Sequence, residues 1–191
     1  MLEVLNQIDT NLFLTLNGLH NDFFDVLMVY ASSKLFWLPF YLFLLYLVIR
    51  VYKWKGLIIL LFVAVLITLT DQASVQLFKN VFQRLRPCHD PDIQFLVHTV
   101  EYCGGQYGFV SSHATNYFGI IVFISGLLYN RYKWLPWVLV FWGLLIVYSR
   151  IYLGVHYPGD VIGGTILGAG IGWMVLCAYR YTDRKWMQNW K

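Results

Sequence analysis

Residues 56–70 read GLIILLFVAVLITLT, an apolar run without a charged residue, and continued to Lys79 it is the strongest of several such stretches. About 20 helical residues cross a hydrocarbon core, so this run predicts a membrane span over 56–79. Working outward, further stretches of the same kind lie at 35–52, 112–130, 134–151 and 158–179. The composition agrees. Of 191 residues, 59% are hydrophobic and 13% charged, about half the charge of an ordinary soluble domain. A chain so poor in polar surface has the bilayer as its solvent. The expected fold is all-α: a polytopic transmembrane helix bundle of five to six spans, forming a single domain over 1–191. The segment Phe23 to Ala31 is apolar but short, ends near Lys34, and is the candidate sixth span, tilted or re-entrant.

At the N-terminus Leu2, Leu5, Ile8, Leu12, Phe13 and Leu16 recur at helical spacing. They predict an amphipathic helix, either lying on the membrane surface or packed against the bundle. Glu3 and Asp9 stand where a secretory signal would carry Lys or Arg, so no such signal is expected.

Orientation follows from the basic residues of the short connections. Arg50, Lys53 and Lys55 separate the first two strong spans, Arg131 and Lys133 the next pair, and Arg180, Arg184, Lys185 and Lys191 follow the last. Five alternating spans put all three clusters on one side, expected to be cytoplasmic. The long loop of about 84–111 and the link near 152–157 then share the opposite face. Cys88 and Cys103 lie in that loop, where a disulfide or two free thiols are both open readings. Cys177 falls within a span as a small packed side chain. Trp37, Trp54, Trp134, Trp137, Trp186 and Trp190 read as interfacial anchors.

Ionisable residues at membrane depth are costly, so their clustering needs a reason. Three groups converge on the outer face: Lys79 with Arg86-Pro87; Ser111-Ser112-His113; and Ser149-Arg150 with His156 and Asp160. Lys79, Arg86, Arg150, His113, His156 and Asp160 would share one depth. Asp71 also sits within a span; ending the apolar core, pairing with a neighbour and lining a path remain open for it. Arg84 reads as an exposed loop charge, and His89 and His98 as surface residues without metal spacing.

These three groups resemble the tripartite signature of the type 2 phosphatidic acid phosphatase superfamily, which includes membrane lipid phosphatases and vanadium haloperoxidases. The first and third motifs match in full. The middle one, usually Pro-Ser-Gly-His, is Val110-Ser111-Ser112-His113 here, and Ser112 in place of glycine matters if that backbone requires positive φ. The resemblance implies His156 as nucleophile through a phosphohistidine intermediate. It implies Asp160 as the residue that orients His156, and His113 as the acid that protonates the leaving oxygen and then activates water. Lys79, Arg86, Arg150, Ser111 and Ser112 would bind the phosphate, the arginines through guanidinium forks. Pro158 suits the first turn of the last helix and Ser111 or Ser112 the N-cap of the third span. Two helix N-termini would thus face one anion.

The implied function is a metal-independent lipid phosphatase of the bacterial inner membrane with its site on the periplasmic face. Its partners are a phosphorylated lipid substrate and membrane lipids. No cofactor, nucleic acid or obligate protein partner is expected. Undecaprenyl diphosphate is the leading substrate by resemblance, with lipid A, phosphatidylglycerol phosphate and phosphatidate as alternatives. A metalloenzyme using His89, His98, His113, His156 and Asp160 is a second class, disfavoured because three cations would repel a metal ion. A non-catalytic lipid-phosphate transporter is a third.

Overall fold

The computed structural model describes residues 2–187. Its regular elements there are helical, with Leu85 and Tyr107 forming an isolated bridge. Helix α1 covers Leu2–Asn17 and α2 covers Asp22–Ser32, the latter capped by the Asn21 side chain, which accepts a hydrogen bond from Phe24 N at 2.9 Å. Helix α3 is Leu38–Tyr52 and α4 is Lys55–Phe82, whose stretch Ala73–Lys79 widens into π-helix. Helices α5 (Ser112–Leu128), α6 (Leu135–Tyr152) and α7 (Pro158–Thr182) complete the bundle.

Three helices are long and apolar enough to cross a bilayer: Lys55–Phe82, Leu135–Tyr152 and Pro158–Lys185. The other two expected spans are apolar but shorter, 15 residues in α3 and 17 in α5. The candidate sixth span is the 11-residue α2. At about 16 Å it reaches half-way through a hydrocarbon core of about 30 Å.

Helix α5 is central and packs on α4, α6 and α7. Its approach to α7 is close because Gly164, Gly168 and Gly172 recur one turn apart. A Cβ at Gly168 would lie 2.1 Å from the Thr115 carbonyl oxygen, and one at Gly172 2.4 Å from that of Gly119. Small residues let apolar helices meet backbone to backbone where hydrophobic burial gives no drive. Around this core Leu57, Leu61, Trp137, Phe141, Ile166 and Trp173 point outward, the surface expected of a bundle solvated by lipid.

The three basic clusters gather at one end. Lys55 pairs with Asp183 at 2.7 Å, joining the α3–α4 turn to the end of α7, and Arg180 donates to the Gly126 carbonyl at 2.7 Å. Trp190 and Lys191 lie outside the described residues, as does the Trp186 side chain. Trp54, Trp134 and Trp137 are exposed, whereas Trp37 turns inward. Its indole N–H donates to the Ala31 carbonyl at 2.8 Å and its ring packs edge-on to Trp142. Helix α1 is packed on the bundle: Phe13 is buried against Tyr157, and the buried Asn17 donates to the Tyr152 carbonyl at 2.7 Å. Val4, Leu5, Ile8 and Leu12 remain on its outer side.

Candidate active site

The end of the bundle opposite the basic clusters collects the C-terminal ends of α4 and α6 and the N-terminal ends of α5 and α7. The π-helical stretch near the end of α4 brings Ser74 and Lys79 to the start of α5. Lys79 Nζ donates to Ser112 Oγ at 2.8 Å, and the Ser74 and Ser112 hydroxyls meet at 2.8 Å. The single Ser74 proton goes to the Asp71 carbonyl at 2.8 Å, which makes Ser112 the donor to Ser74. The Ser112 hydroxyl is therefore engaged within the protein, while its backbone N–H lies in the open first turn of α5. Ser112 is helical and absent from the non-glycine residues with positive φ, so serine in place of glycine brings no strain. Ser111 is the N-cap: its Oγ accepts from Ala114 N at 3.5 Å, and its own N–H donates to the Asp160 carbonyl at 3.0 Å. Asp71 is close enough to act electrostatically on Lys79, which favours pairing among its three readings.

After α6 the chain reverses through Gly154, whose φ of +76° puts it where glycine is favoured and whose Cβ would lie 2.7 Å from the His98 carbonyl oxygen. The reversal returns His156 to the helix end, with its N–H on the Arg150 carbonyl at 3.2 Å. Pro158 then starts α7 as expected, and Asp160 falls in its first turn. Asp160 is fully buried. Its Oδ2 accepts from Tyr157 N at 3.0 Å and faces His156 Nδ1 at 3.4 Å. Burial holds the buried His156 ring well below the usual imidazole range, reinforced by Arg86, Arg150 and Lys79, so it is neutral at pH 7. His113, at the start of α5, stands within electrostatic reach of Arg150, His156, Lys34 and Lys79. Arg150 donates through Nη1 to the Ser32 hydroxyl of α2, and its buried Nε has no acceptor among the described residues.

Arg86 comes from the loop. The following proline holds it extended (φ −73°, ψ 154°), out of the helix. Its Nη1 donates to the Cys103 carbonyl at 2.9 Å and its Nε to that of Tyr107 at 3.3 Å. Desolvation lowers its pKa, and Asp160 opposes the shift. Of the two readings for the loop thiols, the disulfide is present: Cys88–Cys103 closes the segment, with Cα atoms 6.3 Å apart. Gly108 lets the loop backbone approach, since a Cβ there would lie 2.8 Å from Asp160 Oδ2, and its backbone hydrogen-bonds the His156 ring.

All eight expected residues therefore stand at one end of the bundle. Three other expectations need correction, the first being Cys177, expected as a packed side chain but exposed on α7. Arg84 is not an exposed loop charge: it pairs with Asp160 at 3.0 Å and Asp9 at 2.8 Å and lies 4.1 Å over the Tyr157 ring. Asp9 shares one row of α1 with the buried Phe13 and Asn17, an i, i+4 pattern that marks it as inward-facing; that was the available signal. His98 is not a plain surface residue, since it pairs with Asp25 at 2.9 Å and stacks on His20 at 3.7 Å. The metal set weighed as a second class, already disfavoured by the three cations, does not assemble among the described residues. His89 faces the Gly104 carbonyl at 3.2 Å. Among the described residues the cluster with metal-ligand spacing is Cys88, His89 and Cys103, whose thiols are joined in the disulfide.

From His113 an apolar groove of about 430 Å³ runs between α3, α4 and α5, lined by Leu45, Val48, Leu60, Val63 and Ile124 among others, with Lys34 near His113.

Residues 56–184 match the PAP2 superfamily. Over 188 residues the chain is 38% identical to a lipid A 4'-phosphatase of Bacteroides thetaiotaomicron, covering 96% of this chain and 83% of that protein. It is 30% identical over 178 residues to an undecaprenyl-diphosphatase of Sulfolobus acidocaldarius, covering 90% of this chain and 75% of the other. The crystal structure of a transmembrane PAP2-type phosphatidylglycerolphosphate phosphatase from Bacillus subtilis has the same fold. Its TM-score is 0.73 at 21% identity, over 95% of this chain and 89% of that one.

Proposed function

The chain belongs to the PAP2 superfamily of membrane lipid phosphatases, and from that premise we propose that it removes a phosphate from the glycolipid headgroup of lipid A. The observation that carries the reading is the arrangement about His156: a buried neutral imidazole, one nitrogen turned to Asp160, within the field of Lys79, Arg86 and Arg150. The cations neutralise the non-bridging oxygens of a group bearing about two negative charges, which otherwise repels any nucleophile. The buried Arg150 Nε gains its acceptor from that anion. The N-terminus of α5 adds backbone N–H groups, Ser112 among them.

In the reaction the His156 nitrogen turned from Asp160 attacks phosphorus. The P–N bond forms as the bond to the lipid oxygen breaks, and His113 gives that oxygen its proton. Water, deprotonated by His113, then attacks phosphorus, the P–N bond breaks, and inorganic phosphate leaves with His156 restored. Asp160 holds the ring tautomer and balances positive charge on it. The groove takes a hydrocarbon chain: from His113 to Ile124 it follows α5 for about 16 Å, and its lining is apolar.

The higher identity over a larger share of the relative moves the first choice of substrate from undecaprenyl diphosphate to lipid A. Undecaprenyl diphosphate is the second reading, favoured by the similarity to the Sulfolobus protein. We place the chain in a bacterial inner membrane, crossing it five times with the site on the periplasmic face.

The test uses purified protein in detergent with a chelator present, assayed on lipid A, undecaprenyl diphosphate, phosphatidylglycerol phosphate and phosphatidate. Phosphate release from lipid A, lost in His156→Ala, is the expected result. A higher kcat/KM on undecaprenyl diphosphate would select the second reading. Undiminished turnover in His156→Ala would remove the assigned nucleophile.

A further inference from the structure

A buried carboxylate can orient a histidine only if its own two oxygens are fixed. Asp160 Oδ2 is held by the Tyr157 N–H and faces His156, while Oδ1 receives Arg84 Nη1 at 3.0 Å. Arg84 in turn gives Nη2 to Asp9 Oδ2 at 2.8 Å, and its flat face lies 4.1 Å over the Tyr157 ring. The Tyr157 hydroxyl donates to Asp90 at 2.8 Å. The other oxygen of Asp9 accepts from Gly159 N at 2.8 Å, in the first turn of α7, and a Cβ at Gly159 would lie 2.6 Å from Asp9 Oδ2. One carboxylate of α1 thus grips both the helix that carries Asp160 and the arginine that faces it.

We propose that Arg84 and Asp9 are positioning residues for the phosphoryl-transfer site, forming an alternating charge chain Asp9–Arg84–Asp160 that fixes the orientation and the charge of Asp160 and, through it, the ring of His156. The inference rests on the phosphatase reading given above. Arg84 meets the conditions of a relay. Its two terminal nitrogens are spent on two carboxylates, and its plane is held by an aromatic ring. Without it Asp160 Oδ1 is a buried anionic acceptor with no donor, and the carboxylate turns toward whatever donor remains. The remaining charges facing His156 are Lys79, Arg86, Arg150 and His113. Behind them stand Asp71 beside Lys79 and Glu101, which acts on Arg150. Arg84 is the cation hydrogen-bonded to Asp160, and it reaches His156 through that carboxylate.

The test compares wild type, Arg84→Gln, Arg84→Lys and Asp9→Asn as full-length protein in detergent, on a lipid the wild type hydrolyses. Arg84→Gln should lower kcat by about 10- to 100-fold, as a misplaced reacting group does, with KM and vanadate inhibition within about twofold of wild type. Its acid limb of kcat/KM should move to higher pH, because losing a nearby cation makes His156 easier to protonate. Arg84→Lys keeps the charge but loses the fork, so its limb should stay while kcat falls. Asp9→Asn should show a smaller loss of kcat. A residue that only supports the fold would lower thermal stability and leave the limb in place. Unchanged kcat and limb in Arg84→Gln would overturn the proposal, as would a rise in KM with lost vanadate inhibition, which would make Arg84 a phosphate ligand. If Arg84→Gln fails to fold, unchanged kcat in both Arg84→Lys and Asp9→Asn overturns it. A wild type inactive on every lipid defeats the phosphatase reading instead.

Discussion

The proposed nucleophile must present a lone pair to phosphorus, and burial does most to keep it available. His156 is 2% exposed, and desolvation together with Arg86, Arg150 and Lys79 holds its pKa well below the ordinary value near 6.5. The folded protein therefore binds fewer protons than the unfolded chain below that pH. The His156 contribution to stability is complete above about 6.5 and is lost as pH falls toward the folded pKa. Two outcomes follow at this site. The acid limb of kcat/KM attributable to His156 should lie below pH 6.5, and the fall in Tm on acidification from about 7 to 5 should be shallower in His156→Gln than in wild type. A His156-dependent limb above pH 7 would contradict a desolvated ring. The residues proposed to act on the anion, Lys79, Arg86, Arg150, His113, His156 and Asp160, could be picked out of the sequence because chemistry restricts both their type and their spacing. Arg84 and Ser74 could not, since each acts through a partner far along the chain, whereas Asp9 shares a helical row with the buried Phe13 and Asn17. Arg84 and Asp160 are 76 residues apart, and Ser74 and Ser112 are 38 apart. No local pattern marks such pairs.

Helix ends are set by local chemistry, and here they do the placing. Ser111, one of the two cap candidates, caps α5 and Pro158 opens α7 as expected, so His113 and Asp160 both stand in first turns at the same end, on helices that leave it in the same chain direction. The distance between these two helices is a separate matter, decided by glycine. At Gly168 an added Cβ would stand 2.1 Å from a backbone oxygen that cannot swing aside, so the helices themselves must part. Gly168→Ala should cost about 1–3 kcal/mol through overpacking and lower kcat with it, because α5 carries His113 and α7 carries Asp160. Gly170→Ala is the control: no atom lies within 4 Å of a Cβ there, and Tm should hold or rise. Thermal unfolding in detergent reads both, and equal Tm values would mean the helices separate freely. The apolar runs predicted the bounds of five helices to within a few residues, three of them long enough to cross a bilayer, yet the π-helical stretch Ala73–Lys79 left no mark in the sequence. The contacts that stretch makes, Ser74 and Lys79 on Ser112, are with a distant part of the chain. Phe23–Ala31 was ambiguous for the opposite reason. Its composition suits a span, but the helix is limited to 11 residues, too short to be one.

At the scale of the whole molecule, charge is sorted to two ends for different purposes. One end holds the loose basic clusters of the connections, drawn together by Lys55–Asp183 and by Arg180 on Gly126. The other holds Lys79, Arg86 and Arg150 grouped about His156, beside an apolar groove between α3, α4 and α5 that begins at His113. The first arrangement is the kind that fixes orientation during insertion, and in the proposed topology the second faces away from the cytoplasm. Cysteine labelling in intact cells tests this directly. In a Cys177→Ser background, Leu96→Cys lies in the loop of the site end, 58% exposed, and Lys133→Cys lies in the exposed turn at the basic end. The native thiols Cys88 and Cys103 are joined and do not react. A membrane-impermeant maleimide should label Leu96→Cys in intact cells and Lys133→Cys only after the membrane is opened. Labelling of both from outside would place the two ends on one side and break the five-span topology. The reverse pattern would keep the fold and turn the site to the cytoplasm, where a lipid of the outer leaflet could not reach His156.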